Sequence, residues 1–233
     1  MKTITITSNN RPKYLSGILD CLRQQANLSD WRVVVSVEPG PYEVRQLIKD
    51  CGFSVQLIDR VEQLGVLENP YRTLQYVFEQ LGSEYNLYLE EDIIISPDVT
   101  SMADWYVNQV LDDVLSLNLC CDSIHRGMTN DPNVVWKTPS FFSPLGMVIT
   151  DEQWYAHFNE QWHRSIKGWD WSIHKYLRAK KNLYTMRPEC TRSKHVGKHG
   201  GVHTDPEKFE SHSKHVAWPV SGTDYQYRLE CLV

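Results

Sequence analysis

The sequence predicts an α/β fold, with a mostly parallel central sheet and helices on both faces. Residues 1–98 alternate strand-like and helix-like segments, the pattern that builds parallel sheets. Three of the strand-like segments end in polar residues: Ser8 to Arg11, Glu38, and Glu90-Glu91-Asp92. In such sheets ligands bind outside the carboxyl ends of the strands, so these groups fall along the rim of one crevice.

Each element follows from its local pattern. Thr3 to Ser8 alternates β-branched and polar residues, the period of a strand, and breaks at Asn9-Asn10-Arg11-Pro12. From Tyr14 to Gln25, Leu15, Ile18, Leu19 and Leu22 recur on one helical face. Trp31 to Val37 is a second strand, ended by Glu38-Pro39-Gly40-Pro41. A short helix over Tyr42 to Cys51 and a third strand over Phe53 to Ile58 follow. The next helix is expected over Pro70 to Leu81, with the proline in its first turn, where a missing N–H does no harm. Tyr85 to Leu89 then runs as a strand into the acidic cluster.

The second half is less regular. The expected elements are a helix over Val99 to Leu117, a strand over Leu119 to Ile124, and an apolar turn and strand over Ser140 to Ile149. A helix from Asp151 to Phe158, capped by Asp151, and another over Trp169 to Leu177 complete the set. No repeat or low-complexity tract interrupts the chain. It reads as one domain over 1–233, with a nucleotide-binding half (1–98) and an acceptor-binding half with a C-terminal loop (99–233).

Composition sets bounds. With 41% hydrophobic and 23% charged residues the chain is an ordinary globular protein. A net charge of -5 gives no support to a nucleic-acid binder, although Lys194 to His215 is locally basic and His-rich. The six cysteines include no C-x-x-C pair and read as reduced thiols of a cytosolic protein. Met1 to Thr7 alternates like a strand, unlike a signal peptide, and no apolar run approaches the length of a membrane span.

The acidic cluster carries the chemistry. A buried carboxylate is costly unless something pairs with it. Three at a strand end therefore suggest a bound cation, and Mg²⁺ or Mn²⁺ commonly uses one or two carboxylates plus substrate phosphates. The bland alternative is a solvated acidic turn. Convergence of three polar strand ends favours the functional reading.

Together these segments resemble glycosyltransferases of the GT-A fold, and within them the α-mannosyl β-1,2-N-acetylglucosaminyltransferases. Val33-Val34-Val35-Ser36-Val37-Glu38 resembles the family's second strand, and Glu90-Glu91-Asp92 its Glu-Asp-Asp variant of the D-x-D motif. Phe141-Phe142-Ser143-Pro144-Leu145-Gly146 resembles its Phe-Phe-Pro-Gly-Leu-Gly turn, and Trp169-Asp170-Trp171 its Trp-Asp-Asp-Trp segment with one residue fewer. Arg187-Pro188-Glu189-Cys190-Thr191-Arg192, followed by Gly197-Lys198-His199-Gly200 and His203, resembles its Arg-Pro-Glu stretch and closing loop. Two features depart from the family: Glu91 stands where it usually has aspartate, and the membrane anchor and stem of the animal enzymes are missing. The second points to a cytoplasmic bacterial or viral relative.

The resemblance implies roles. Asp92 would ligate Mn²⁺ or Mg²⁺, with His203 as a candidate second ligand, although any one histidine of this crowded segment is more readily a surface residue. Glu91 would lie near the ribose and Glu90 near the donor sugar, while Glu38 would accept from the uracil imide. Arg11 would reach the diphosphate and Arg72 would face the nucleotide, with Ser8 and Gly146 also on the donor side. Asp170, between two indoles that shield it from water, would be the general base of an inverting displacement. The implied reaction moves a sugar from a nucleotide-diphosphate donor, UDP-linked, to an acceptor hydroxyl on a glycan, glycoconjugate or other molecule, with a nucleic-acid acceptor disfavoured by the net charge. Two other readings compete. A sugar nucleotidyltransferase would want a glycine-rich loop after the first strand, where Asn9-Asn10-Arg11-Pro12 has none. A non-catalytic nucleotide- or carbohydrate-binding module would not need Asp170 together with Asp92.

Overall fold

A computed structural model describes residues 1–109, 111–121, 130–199, 205–207, 209 and 217–231. The alternation expected of the first half is present in full: β1 (Lys2–Ser8), α1 (Pro12–Arg23), β2 (Arg32–Val37), α2 (Tyr42–Lys49), β3 (Val55–Asp59), α3 (Gly65–Gln75) and β4 (Tyr85–Glu90). These strands lie in the order β3-β2-β1-β4, all parallel. The chain winds outward in both directions from β1, and the crevice opens where the winding reverses.

The second half contributes β5 (Ile93–Ile95), α4 (Val99–Tyr106), β6 (Val114–Asn118), β7 (Val134–Pro139), β8 (Met147–Thr150), α5 (Asp151–Gln153), α6 (Trp169–Ala179), β9 (Tyr184–Pro188), β10 (Ser193–His195) and β11 (Arg228–Cys231). Among the described residues the main sheet has nine strands in the order β11-β7-β9-β6-β8-β4-β1-β2-β3. It is parallel except where β8 meets β4 and β6, and where β7 meets β9. A separate antiparallel ribbon pairs β10 with β5.

Alternation along the strands divides the apolar side chains between two cores. On one face Ile4, Ile6, Val33, Val35, Leu87 and Leu89 pack under α1, α2 and α4, where the predicted stripe Leu15, Ile18, Leu19 and Leu22 is wholly buried. Burial of each such side chain contributes about 1.5–3 kcal/mol. On the other face Val34, Tyr88, Met147 and Ile149 meet α3, α6 and an aromatic group of Phe158, Trp154, Trp162 and Trp169. Helices therefore cover both faces, as the pattern required.

Four local expectations change. The third helix begins at Gly65, so Pro70 is interior to it rather than in its first turn. Its start is set instead by a carboxylate holding the backbone N–H groups of Leu64 and Gly65. The helix predicted through Leu117 stops at Tyr106, and Val114–Asn118 is a strand. That strand is buried along its whole length, so it lacks the alternation that marks a half-exposed strand. Thr150, not Asp151, caps α5, through a reciprocal box in which Gln153 returns a bond to the cap. Of the strand expected over Leu119 to Ile124, residues 119–121 follow β6 without being strand, and 122–124 lie outside the described residues.

A buried ion pair ties the end of the chain to the first half. Arg192 Nε donates to Asp98 Oδ2 at 2.7 Å with both side chains fully buried, and Tyr227 Oη donates to the same oxygen at 2.9 Å. Arg192 also serves the carbonyls of Cys190 and Pro132, both at 2.6 Å. Replacing Arg192 by Met leaves Asp98 charged and dry. We expect a loss of about 3–5 kcal/mol in urea unfolding, with partial recovery when Asp98→Asn is added.

Candidate active site

Register places the polar strand ends side by side. Ser8 pairs with Val37 and Thr7 with Glu90. Beyond the strands, the Glu38 N–H donates to the Ser8 carbonyl and the Glu91 N–H to the Thr7 carbonyl, both at 3.0 Å. Ser8, Arg11, Glu38, Glu90 and Glu91 consequently line one cavity of about 80 Å³, together with Thr7, Asn9, Gln63, Gly65, Val66, Asn69 and Pro70.

The acidic cluster is deeply set and heavily served. Glu91 is 1% exposed and Asp92 4%. Ser8 Oγ donates to Glu91 Oε2 at 2.5 Å, and Arg11 Nε to Oε1 at 2.5 Å. The Arg11 guanidinium also reaches Asp92 Oδ2 at 2.8 Å through Nη2, and stacks on the Tyr14 ring at 5.2 Å. His195 Nε2 lies 3.0 Å from that same Asp92 oxygen. Burial raises the Asp92 pKa, but His195 and Arg11 outweigh it and hold the carboxyl below its ordinary value. Glu90 behaves oppositely. Burial and then the adjacent Asp92 charge push it up to about 7, against a 3.1 Å hydrogen bond from Tyr88.

Glu38 has a role that sequence reasoning did not assign. Its two oxygens accept the Leu64 and Gly65 N–H groups at 2.8 and 2.9 Å, so it anchors the start of α3 while lining the cavity. Asn69, another unanticipated neighbour, has its amide oxygen held by Ser36 at 2.6 Å and by Arg60 at 3.3 Å.

Other expected residues lie elsewhere. Arg72 is half-exposed, pairs with Glu68 at 3.4 Å and Glu62 at 3.8 Å, and lines a different cavity beside β3. One turn along α3 from Glu68, it is claimed by that helical neighbour. Gly146 is also absent from the lining. It sits at φ +88°, and an added Cβ would come within 3.0 Å of Leu119, so its glycine serves a turn packed against the core. Asp170 borders a second cavity, of about 240 Å³, with Phe142, Pro144, Trp171 and His174. Its two indoles are unequal, since Trp169 is 5% exposed and Trp171 55%. Trp169 packs edge-on against Tyr88, which links this cavity to Glu90. His203 lies outside the described residues, as do Gly200 and Gly201.

The residue sequence reasoning missed is His195. It ends β10, whose pairing with β5 sets it opposite Ile93, next to Asp92. The following turn closes tightly over the carboxylate. The Val196 N–H donates to the Asp92 carbonyl at 2.8 Å, and a Cβ on Gly197 would fall 2.0 Å from Asp92 Oδ2. The His199 N–H donates to the Tyr14 hydroxyl at 3.0 Å, fastening this segment to α1. Its only sequence signal was a position three residues after the Arg-Pro-Glu stretch.

Among the described residues no three His, Cys, Asp or Glu side chains gather as a metal cluster. Asp92 Oδ1, however, is a buried oxygen without a hydrogen-bond partner. One carboxylate oxygen with an imidazole beside it fits a divalent ion whose remaining ligands are phosphate and water.

Comparison with solved structures identifies the architecture. TarS 1–349 of S. aureus superposes with a TM-score of 0.60 at 13% identity, over 91% of this chain and 63% of that one. The chain has the GT-A fold. The same TarS fragment has been solved with UDP and with UDP-GlcNAc. The mannosyltransferase PcManGT of Pyrobaculum calidifontis, in complex with GDP-Man and Mn²⁺, gives 0.56 at 15% identity, over 80% of this chain and 54% of that one. The galactosyltransferase LgtC, with donor and acceptor sugar analogues, shares the GT-A fold at 0.51 and 13% identity, over 97% and 87%. No protein-family model and no curated protein matches the sequence.

Two measurements check the geometry. Glu38→Ala removes the acceptor of two backbone N–H groups and should cost about 1–3 kcal/mol in ligand-free unfolding; a side chain that only touched ligand would cost nothing. In metal-free protein, the raised Glu90 pKa means that protonation favours the folded state. That contribution is complete below pH 4.5 and is lost as the pH rises through about 7. Wild type should therefore lose stability relative to Glu90→Gln between those values, measured by urea unfolding across pH.

Proposed function

We propose that this chain is a metal-dependent, inverting glycosyltransferase that moves a hexosyl or N-acetylhexosaminyl group from a UDP-sugar to an acceptor hydroxyl. The observation that carries the reading is the convergence of Ser8, Arg11, Glu38, Glu90 and Glu91 on one cavity at the carboxyl ends of β1, β2 and β4, beside Asp92 with its unpartnered oxygen. The nucleotide sugars held by TarS and PcManGT, and the Mn²⁺ of the latter, supply the precedent. Likeness to the α-mannosyl β-1,2-N-acetylglucosaminyltransferases remains the specific form of the proposal, carried by the motifs.

Each residue then has a task. Glu38, oriented by its two backbone donors, keeps lone pairs free for the imide N–H of uracil. Arg11 exchanges its bonds to Glu91 and Asp92 for the diphosphate, a bidentate partner that suits a guanidinium. Asp92 would hold Mn²⁺ or Mg²⁺, with His195 beside it and His203 as a further candidate ligand. When bound, the ion neutralises charge on the departing diphosphate as a Lewis acid. Asp170 accepts the proton of the attacking hydroxyl, next in the chain to the buried Trp169. One base and a single displacement give inversion.

The test is thermal denaturation with a panel of nucleotide sugars, with and without Mn²⁺, followed by donor hydrolysis. We expect a metal-dependent shift with a UDP-sugar, its loss in Asp92→Asn, and loss of hydrolysis with retained binding in Asp170→Asn. No shift with any nucleotide would refute the reading. Turnover surviving Asp170→Asn would remove that residue as the base.

A further inference from the structure

The segment that carries Asp170 and borders its cavity concentrates positive charge, in a chain of net charge -5. Residues 163–181 contain Arg164, Lys167, Lys175, Arg178, Lys180 and Lys181, all exposed, against one carboxylate, Asp170. Among the described residues the one ion pair made from this stretch joins His163 to Glu68 at 2.7 Å. Lys167 and Lys180 instead lie over the rings of Trp171 and Tyr176, at 5.1 and 5.3 Å. Helical spacing orders the rest. Trp171, Lys175 and Arg178 stand at i, i+4 and i+7 on α6, one exposed stripe. It leads away from the cavity that Asp170, Trp171 and His174 border.

Apolar groups stand among these cations. Ile166, in the turn before α6, is fully exposed between Arg164 and Lys167, and Trp171 is 55% exposed. A polyanion in water would attract the cations but gain nothing from a bare isoleucine. A bilayer interface rewards both, because the aliphatic and indole groups enter the headgroup boundary while lysine and arginine meet anionic lipid.

We propose that this face docks on an anionic membrane surface, with Ile166 and Trp171 inserted and the six cations set against lipid headgroups. The Asp170 cavity, which the inserted Trp171 borders, then lies at the bilayer surface, which makes the acceptor a sugar or hydroxyl carried by a membrane lipid. That last step rests on the transferase reading, whereas the docking itself does not.

Sedimentation with lipid vesicles tests the docking without donor, metal or turnover, so its failure is distinct from failure of the transferase reading. The whole chain should bind vesicles of phosphatidylcholine with phosphatidylglycerol, release them as salt rises, and ignore phosphatidylcholine alone. Each cation near the surface is worth about fivefold in partitioning, so Lys175→Gln/Arg178→Gln/Lys181→Gln should weaken binding about a hundredfold. Ile166→Ser should weaken it about tenfold. Both variants alter exposed side chains, and unchanged thermal unfolding would show that the fold is kept. Absence of binding to the mixed vesicles, or binding unaffected by both variants, would overturn the proposal. So would retention on heparin or nucleic acid without vesicle binding, which would reassign the patch to a polyanion.

Discussion

Two carboxylates almost wholly removed from water, Glu91 and Asp92, dictate the arrangement around them. Isolated buried charges of this kind cost several kcal/mol each, and the fold brings help from three separate elements. Ser8 comes from the end of β1, Arg11 from the turn before α1, and His195 from the far end of the chain. Arg11 is itself backed by Tyr14, whose hydroxyl holds the segment carrying Gly197 and His199. The acidic cluster is thus the point where the parallel half-sheet and the C-terminal ribbon are joined.

How much of this was legible follows from the physics of each signal. The β/α alternation was readable because α1 packs a single stripe and β1 alternates threonine with isoleucine, leaving clear periods of 3.6 and 2. Its threonine face is satisfied by Asn86, which bonds Thr3 and Thr5 at 2.8 and 2.9 Å, so the polar residues read correctly as strand. Val114–Asn118 was not readable, because burial on both sides erases the alternation. The rim residues Ser8, Arg11, Glu38, Glu90 and Glu91 were found because strand ends are local features. His195 was not, since its contact with Asp92 spans 103 residues and depends on a three-residue strand. Arg72 was misplaced for a related reason: the helix start that orients it is fixed by Glu38, a partner distant in sequence.

The other face of the sheet is organised by aromatic stacking. Trp162 and Trp169 stack with centroids 4.2 Å apart and ring planes 4° from parallel, and Trp169 meets Tyr88 and Phe142 edge-on. Of this packed group Phe142 lines the Asp170 cavity, while Tyr88 bonds Glu90 of the other. Through Tyr88 the group touches Glu90, and Trp169 is the chain neighbour of Asp170, so the two carboxylates belong to different elements yet share one packed support.

The Asp98–Arg192 pair bears on how the chain is made. During synthesis the N-terminal half emerges first, carrying Asp98 without its guanidinium and Asp92 with Arg11 but not His195. Contacts of such long sequence separation form late, because loop closure must be met before they contribute. The nascent half-sheet therefore waits, incompletely neutralised, until β10 leaves the ribosome and closes the ribbon. Maturation of the site thus waits on a segment made 103 residues after the carboxylate it serves.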